Sequence, residues 1–202
     1  MIVYVESNFV LEIALGQEEA ASAGAILALA ENGKIELVFP GFALSEPFAT
    51  ITHRDRERKR LSNTLAETVR QLRRSEPHQQ TVSDLQFVPG ILTGLAKKEM
   101  DLLQGTVKRL LSAGRSIELN SRIFEQAIVY QFMFDLSPQD GIIYAAIIAD
   151  LLNQARKTPK CFISRDKRAF NDPSIMAELT SYNCQYVVNM SGTLSLIERS
   201  LT

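Results

Sequence analysis

Short apolar runs alternate along the chain with longer segments in which apolar residues recur every three or four positions. The short runs have the length of strands, and the periodic segments have the pattern of helices that cover a sheet. The first run, Ile2 to Val5, is apolar at consecutive positions, which is typical of a central parallel strand covered on both faces. The pattern therefore predicts a three-layer α/β fold organised around this strand.

Later apolar runs predict further strands at residues 35–39, 116–119, 161–163 and 186–188. Helical periodicity lies between them, at residues 12–32, 50–113, 121–134 and 142–152, from 173 onward, and through a last helix to 201. We expect Asn32 to end the first of these helices and Ser191 to cap the last. Pro47 requires the long helical segment either to begin near Glu46 or to be kinked there.

The helical segment at residues 50–113 is interrupted at residues 75–78. We interpret it as a helical arm inserted into a single domain that covers residues 1–202. A two-helix hairpin can cover one apolar face internally, but a second apolar row needs another surface. We therefore expect the arm to pack on the domain body or on a twofold mate, and the protein to be a homodimer.

Composition excludes several classes of protein. With 46% hydrophobic and 22% charged residues among 202, the chain has the composition of a globular domain. No apolar run has the roughly 18 residues that a membrane span needs, and no signal sequence is present, so we expect a cytoplasmic protein without a membrane. Cys161 and Cys184 lack the spacing of a zinc site and are expected to be reduced core residues.

The net charge of −1 conceals an uneven distribution. From His53 to Arg74 there are eight Lys or Arg residues against three Asp or Glu. Such an excess is typical either of a surface that faces phosphate or of the solvated side of a helix. Arg56, Arg58 and Arg60 are the candidates for contact with a nucleic-acid backbone.

Four acidic residues occupy positions of chemical interest. Glu6, Glu46 and Asp166 each follow a predicted strand, and in open α/β sheets ligands bind at that end of the strands. Asp140 lies three residues after Ser137, at the start of a helix. Two of these acids also have a purely structural explanation, because Glu6 suits a helix N-terminus and Asp140 suits a capping box.

Together, four carboxylates in one cleft repel each other unless a cation neutralises them. Oxygen ligands select hard ions such as Mg²⁺ or Mn²⁺, and such ions activate water for the hydrolysis of a phosphodiester. The sequence therefore predicts a metal site.

Four separate pieces of the sequence resemble the PIN-domain ribonucleases. They are Tyr4 to Asn8, Glu46, Ser137 to Asp140, and Phe162 to Asp166. The resemblance implies a parallel five-stranded sheet of order 3-2-1-4-5 and hydrolysis of RNA with Mg²⁺ or Mn²⁺. The arm is longer than in the compact family members, many of which are toxins of toxin–antitoxin pairs, so an antitoxin-like protein is a candidate partner.

The resemblance also implies roles for individual residues. Glu6, Glu46, Asp140 and Asp166 would form the catalytic set, with Glu6, Asp140 and Asp166 as the metal ligands. Asn8 would orient the site, and Ser164 would support the phosphate or a metal-bound water. Asp172 could be a fifth acid, but its position before Pro173 also suits a cap.

The first acid is usually Asp in this family, whereas here it is Glu6. The extra methylene displaces the carboxylate by roughly 1.5 Å, and a misplacement of that size can cost about 100-fold in rate. An alternative hypothesis is therefore a catalytically impaired PIN-like module that binds RNA or a protein. A response-regulator or phosphatase-like protein is a third hypothesis, but it needs an Asp after the first strand.

Overall fold

The computed structural model describes residues 1–74, 76, 82 and 84–201. A parallel sheet of order β3-β2-β1-β4-β5 forms its centre. The strands are β1 (Ile2–Val5), β2 (Glu36–Pro40), β3 (Gly114–Ile117), β4 (Lys160–Ile163) and β5 (Cys184–Val187). The predicted α/β class, the sheet order and the central position of the first strand are confirmed.

Strand register brings the candidate site residues to one end of the sheet. Val5 of β1 lies opposite Ile163 of β4, so that Glu6 and Ser164 leave the sheet at the same level. All four residues of β1 are buried, as are all four of β4. The continuous apolar pattern of β1, and of Cys161 to Ile163 in β4, follows from these strands being covered on both faces.

Helices cover the sheet on both faces. The helices are α1 (Ser7–Leu15), α2 (Ala20–Glu31), α3 (Ser45–Leu72), α4 (Val88–Ala113), α5 (Ser121–Phe134), α6 (Pro138–Leu151), α7 (Lys167–Phe170), α8 (Pro173–Ser181) and α9 (Met190–Leu201). α5 packs on α6, which contacts β2 and β3, whereas α2 packs against α1 and α9. Short 3₁₀ helices are found at Gly41–Leu44 and Asp84–Phe87. No described helix is long and apolar enough to cross a membrane.

Two predicted helix boundaries are wrong. The helix predicted at residues 12–32 is two helices, because Gly16 adopts φ 60° and ends α1. Ser191 does not cap the last helix, which begins at Met190, and the side-chain oxygen of Asn189 accepts the N–H of Gly192 instead. Pro47 lies in the first turn of α3, which agrees with the first of the two predicted alternatives, a helix that begins near Glu46.

The chain divides into two compact units, Met1–Pro47 with Leu103–Thr202, and Phe48–Leu102. The first unit contains the whole sheet and the four candidate acids. The second contains most of α3 and the N-terminal part of α4, which we call the helical arm. The predicted interruption at residues 75–78 lies, apart from Glu76, outside the described residues.

A buried carboxylate links the central strand to β3 and α6. Asp150 of α6 accepts a hydrogen bond from the Tyr4 hydroxyl at 2.7 Å. It also accepts two from the Arg115 guanidinium at 2.7 and 3.0 Å, so that β1, β3 and α6 share one network. Cys161 and Cys184 are free and buried, as predicted.

Candidate functional site

Glu6 caps the helix that follows the central strand. It is only 4% exposed, and its Oε2 accepts hydrogen bonds from the Asn8 backbone N–H at 2.9 Å and from the Ser7 hydroxyl at 2.7 Å. Its Oε1 is buried and has no hydrogen-bond partner among the described residues. Burial raises the pKa of Glu6 to about 6. An unpaired buried carboxylate oxygen is costly, and coordination of a cation is one way to satisfy it.

The Ser7 hydroxyl joins two of the predicted acids. Its oxygen lies 2.7 Å from Glu6 Oε2 and 2.6 Å from Glu46 Oε2. A hydroxyl has one hydrogen and donates to one acceptor at a time, so the two contacts share a single hydrogen when both carboxylates are ionised. The charge of Glu46 adds to burial in raising the pKa of Glu6. Sequence reasoning missed Ser7, whose only signal was its place between Glu6 and Asn8.

Asp140 takes part in helix capping and also lies near other acids. The Ser137 hydroxyl accepts the Asp140 N–H at 3.1 Å and lies 2.5 Å from Asp140 Oδ2, so the predicted Ser137 cap is confirmed. The carboxyl is half-buried. Burial, and then the charges of Asp166 and Glu46, raise the pKa of Asp140. The cap therefore coexists with electrostatic proximity to two other acids.

Asp166 is held by its own loop. Its Oδ1 accepts the N–H groups of Arg168 and Ala169 at 2.9 and 3.0 Å, which caps α7. The fully buried Ser164 hydroxyl accepts the Asp166 N–H at 3.0 Å. The contact that Ser164 makes in the structure therefore fixes the backbone of Asp166, and a contact with phosphate or with a metal-bound water stays a prediction.

An open groove of about 410 Å³ lies beside Asp166. It is lined by Asn8, Arg165, Asp166, Lys167 and Arg168. Lys167 and Arg168 are exposed, and neither forms an ion pair with any residue that the structure describes. These two cations were not predicted as site residues, since they follow Asp166 directly in the sequence and belong to no motif of their own.

The predicted metal ligands form no complete metal cage. Within residues 1–74, 76, 82 and 84–201, no group of three or more His, Cys, Asp or Glu side chains is arranged to hold a metal ion. The structure brings Glu6 and Glu46 together through Ser7, and brings Asp140 within electrostatic reach of Asp166 and Glu46. Metal ligation by Glu6, Asp140 and Asp166 stays a prediction, and the excess of carboxylate with one orphaned oxygen fits a hard cation.

The arginines predicted to bind substrate belong to the helical arm. Arg58 donates two hydrogen bonds to Glu99, at 2.6 and 2.8 Å, so its guanidinium is already engaged. Arg56 and Arg60 are exposed.

Asp172, considered as a fifth acid, accepts two backbone N–H groups at the start of α8 and is a cap.

A family model described as "PIN domain" matches residues 3–170, which is most of the chain. The chain belongs to the PIN-domain family. PIN domains are typically nucleases that use divalent metal ions, so the resemblance found in the sequence is confirmed at the level of family and fold. The response-regulator hypothesis is set aside by this match. No curated protein and no solved structure matches the chain.

Proposed function

We propose that this PIN-domain protein is a metal-dependent endoribonuclease whose catalytic set is Glu6, Glu46, Asp140 and Asp166. The observation that carries the proposal is the buried Glu6 Oε1, which has no hydrogen-bond partner among the described residues, in a carboxylate that shares a hydroxyl with Glu46. A buried carboxylate oxygen without a partner costs the fold free energy, whereas coordination of a cation would satisfy that oxygen.

Each residue has a distinct part in this mechanism. Glu6, Asp140 and Asp166 would hold Mg²⁺ or Mn²⁺, which when bound activates water and stabilises the leaving oxygen of a phosphodiester. Ser7 keeps the carboxylates of Glu6 and Glu46 adjacent, through contacts of 2.7 and 2.6 Å. Asn8 lines the groove, and we assign it the orientation of the substrate.

The groove beside Asp166 supplies the positive charge that four acids lack. Lys167 and Arg168 face solvent next to Asp166 and have no ion-pair partner among the described residues, so they are free to hold a phosphate of the RNA backbone. Arg56 and Arg60 of the helical arm are further candidates for such contacts. Arg58 is a weaker candidate, because binding RNA would cost it two hydrogen bonds to Glu99.

The alternative function is an impaired PIN-like module that binds RNA or a protein without cleaving it. Glu6 favours it, because Oε2 is already occupied by the Asn8 N–H and the Ser7 hydroxyl. Only Oε1 is then left for a metal ion. The two functions differ in metal-dependent turnover and share RNA binding.

The partners remain proposals. One face of α5 exposes five large apolar side chains, Phe124, Ile128, Val129, Phe132 and Met133. A patch of this kind is typical of a surface that binds protein. It is the candidate surface in the first unit for homodimer formation or for an antitoxin-like protein. An RNA substrate agrees with the cytoplasmic location expected from the sequence.

The proposal is tested with purified protein and a labelled single-stranded RNA. We expect cleavage with Mn²⁺ or Mg²⁺, none in EDTA, and none in Asp140→Asn, which keeps the shape of the side chain and removes its charge. Asp135→Asn is the matched control, because Asp135 is exposed and its left-handed backbone (φ 52°) suits Asn. Cleavage that persists in EDTA, or in Asp140→Asn, refutes the mechanism; RNA binding without cleavage by the wild type supports the impaired module.

A further inference from the structure

Glu12 is a buried carboxylate that the proposed chemistry does not use. It lies one turn after Asn8 on α1 and is only 2% exposed. One of its oxygens contacts the guanidinium of Arg165, and the other accepts the Glu19 N–H at 3.0 Å. A buried acid needs such partners, and both of them lie outside α1.

Arg165 stands between two residues of the candidate site, Ser164 and Asp166. Its contact with Glu12 therefore joins the helix that Glu6 caps to the loop that carries Asp166. The Tyr186 hydroxyl supports the same loop, at 3.1 Å from the Ser164 carbonyl oxygen and 3.2 Å from that of Asp166. The loop is thus held from β5 by a hydroxyl and from α1 by an ion pair.

We propose that the Glu12–Arg165 pair is a positioning device that fixes Asp166 relative to Glu6. The inference rests on the proposed nuclease function, since it assigns Arg165 a role in assembling that site. Arg165 lines the groove and is the kind of residue expected to contact phosphate. Its charge is nevertheless directed to Glu12, so we assign it to positioning and leave phosphate contact to Lys167 and Arg168.

A second carboxylate provides an internal comparison. Glu18 also contacts Arg165, at 3.2 Å, but its side chain is 83% exposed. Exposed ion pairs contribute little, because water and salt screen them. Glu12 is instead buried, so removing its Arg165 partner leaves a buried charge without compensation. The positioning effect should therefore depend on Glu12 and hardly at all on Glu18.

The two possible roles of Arg165 make opposite predictions for Glu12→Gln. If Arg165 contacts RNA, releasing it from Glu12 strengthens RNA binding and leaves kcat unchanged. If Arg165 positions Asp166, kcat falls while KM for RNA stays close to the wild-type value, because substrate contacts are intact and the acids are displaced. A displacement of about 1 Å costs on the order of 100-fold in rate.

The experiment compares Glu12→Gln, Arg165→Met, the double variant and the control Glu18→Gln. We expect each single variant to lower kcat roughly 10- to 100-fold. The kcat of the double variant should be no lower than that of the less active single variant, because both changes break the same interaction. Glu18→Gln should behave as wild type. Arg165→Lys keeps the charge and should recover part of the loss. Because Arg165 is exposed, the Lys and Met variants carry the test if Glu12→Gln does not fold.

Amide hydrogen exchange supplies a readout that does not depend on nuclease activity. Segment 164–170 should exchange faster in Glu12→Gln and Arg165→Met than in wild type and Glu18→Gln, with little change in α6. If the protein does not cleave RNA, the difference in exchange rate between the variants and the wild type still tests whether the Glu12–Arg165 pair positions Asp166. The site that is positioned would then be one that binds RNA. Unchanged exchange in that segment, wild-type kcat, or tighter RNA binding in Glu12→Gln overturns the inference.

Discussion

Replacing Glu6 by Gln should stabilise the metal-free protein at neutral pH. Burial raises the pKa of Glu6 from the ordinary 4.5 to about 6, so the folded state holds the proton more tightly than the unfolded state. Stability is therefore lost as the pH rises from 4.5 through about 6, and the loss is complete above that window. The difference between the two pKa values corresponds to about 2 kcal/mol.

Gln keeps an oxygen that can accept the Asn8 N–H, and it has no charge to bury. We expect the free energy of unfolding of Glu6→Gln to exceed that of the wild type by up to about 2 kcal/mol above pH 7 and to match it near pH 4. The assay is urea denaturation in EDTA across this pH range. Adding Mn²⁺ should stabilise the wild type, because an ion that binds only the folded state favours that state. It should not stabilise Glu6→Gln, which lacks the proposed carboxylate ligand.

A difference in stability that does not vary with pH would refute this reasoning, because it would mean that the Glu6 carboxylate is not penalised by burial. Asp135→Asn is again a suitable control, since it removes a carboxylate from an exposed position. A stabilising effect of Mn²⁺ that survives in Glu6→Gln would place the ion elsewhere.

Three other predictions concern separate parts of the molecule. Glu6→Asp should leave RNA cleavage unchanged or faster, since Asp is also a strong N-cap; a large loss of kcat would mean that the site needs the longer side chain. Gly141→Ala should lower the free energy of unfolding, measured by urea denaturation, by about 1–3 kcal/mol, because the new Cβ would lie 2.8 Å from Gln131 Cγ and 3.0 Å from the Ala127 carbonyl oxygen. Wild-type stability would contradict this close approach of α5 and α6. Phe132→Asp should leave stability within about 0.5 kcal/mol, because Phe132 is 88% exposed, and should abolish any self-association seen by light scattering; a dimer that persists would place the interface on another surface.

The hydrophobic pattern predicted the strands and most of the helices, whereas the order of the strands in the sheet was predicted from the resemblance to the PIN-domain family. Ile2 to Val5 is recognisable as a central strand because a strand covered on both faces has no polar positions. The break at Gly16 was not predicted, although Gly16 is followed by three polar residues, Gln17, Glu18 and Glu19, before the Ala-rich helix begins. Ser191 was misassigned because Asn189, two residues earlier, is an equally good cap.

The contacts between side chains at the site could not be predicted from the sequence. Glu6, Glu46, Asp140 and Asp166 could be proposed from the sequence because they follow predicted strands or start a predicted helix. The bridging role of Ser7 depends on Glu46, and the burial of Glu12 depends on Arg165, at the other end of the chain. Such contacts arise from strand register and helix packing, which no local pattern contains.

The hydrogen bond from the Asn8 N–H to Glu6 gives one carboxylate both a folding role and a proposed catalytic role. These roles would be inherited differently in descendants of this protein. A lineage that no longer needs RNA cleavage gains stability by exchanging Glu6 for Gln, because the cap survives and the buried charge is removed. A lineage under selection for cleavage must keep Glu or Asp and tolerate the less stable fold. The amino acid at this one position would then report, across related genomes, whether each protein is still under selection as a nuclease.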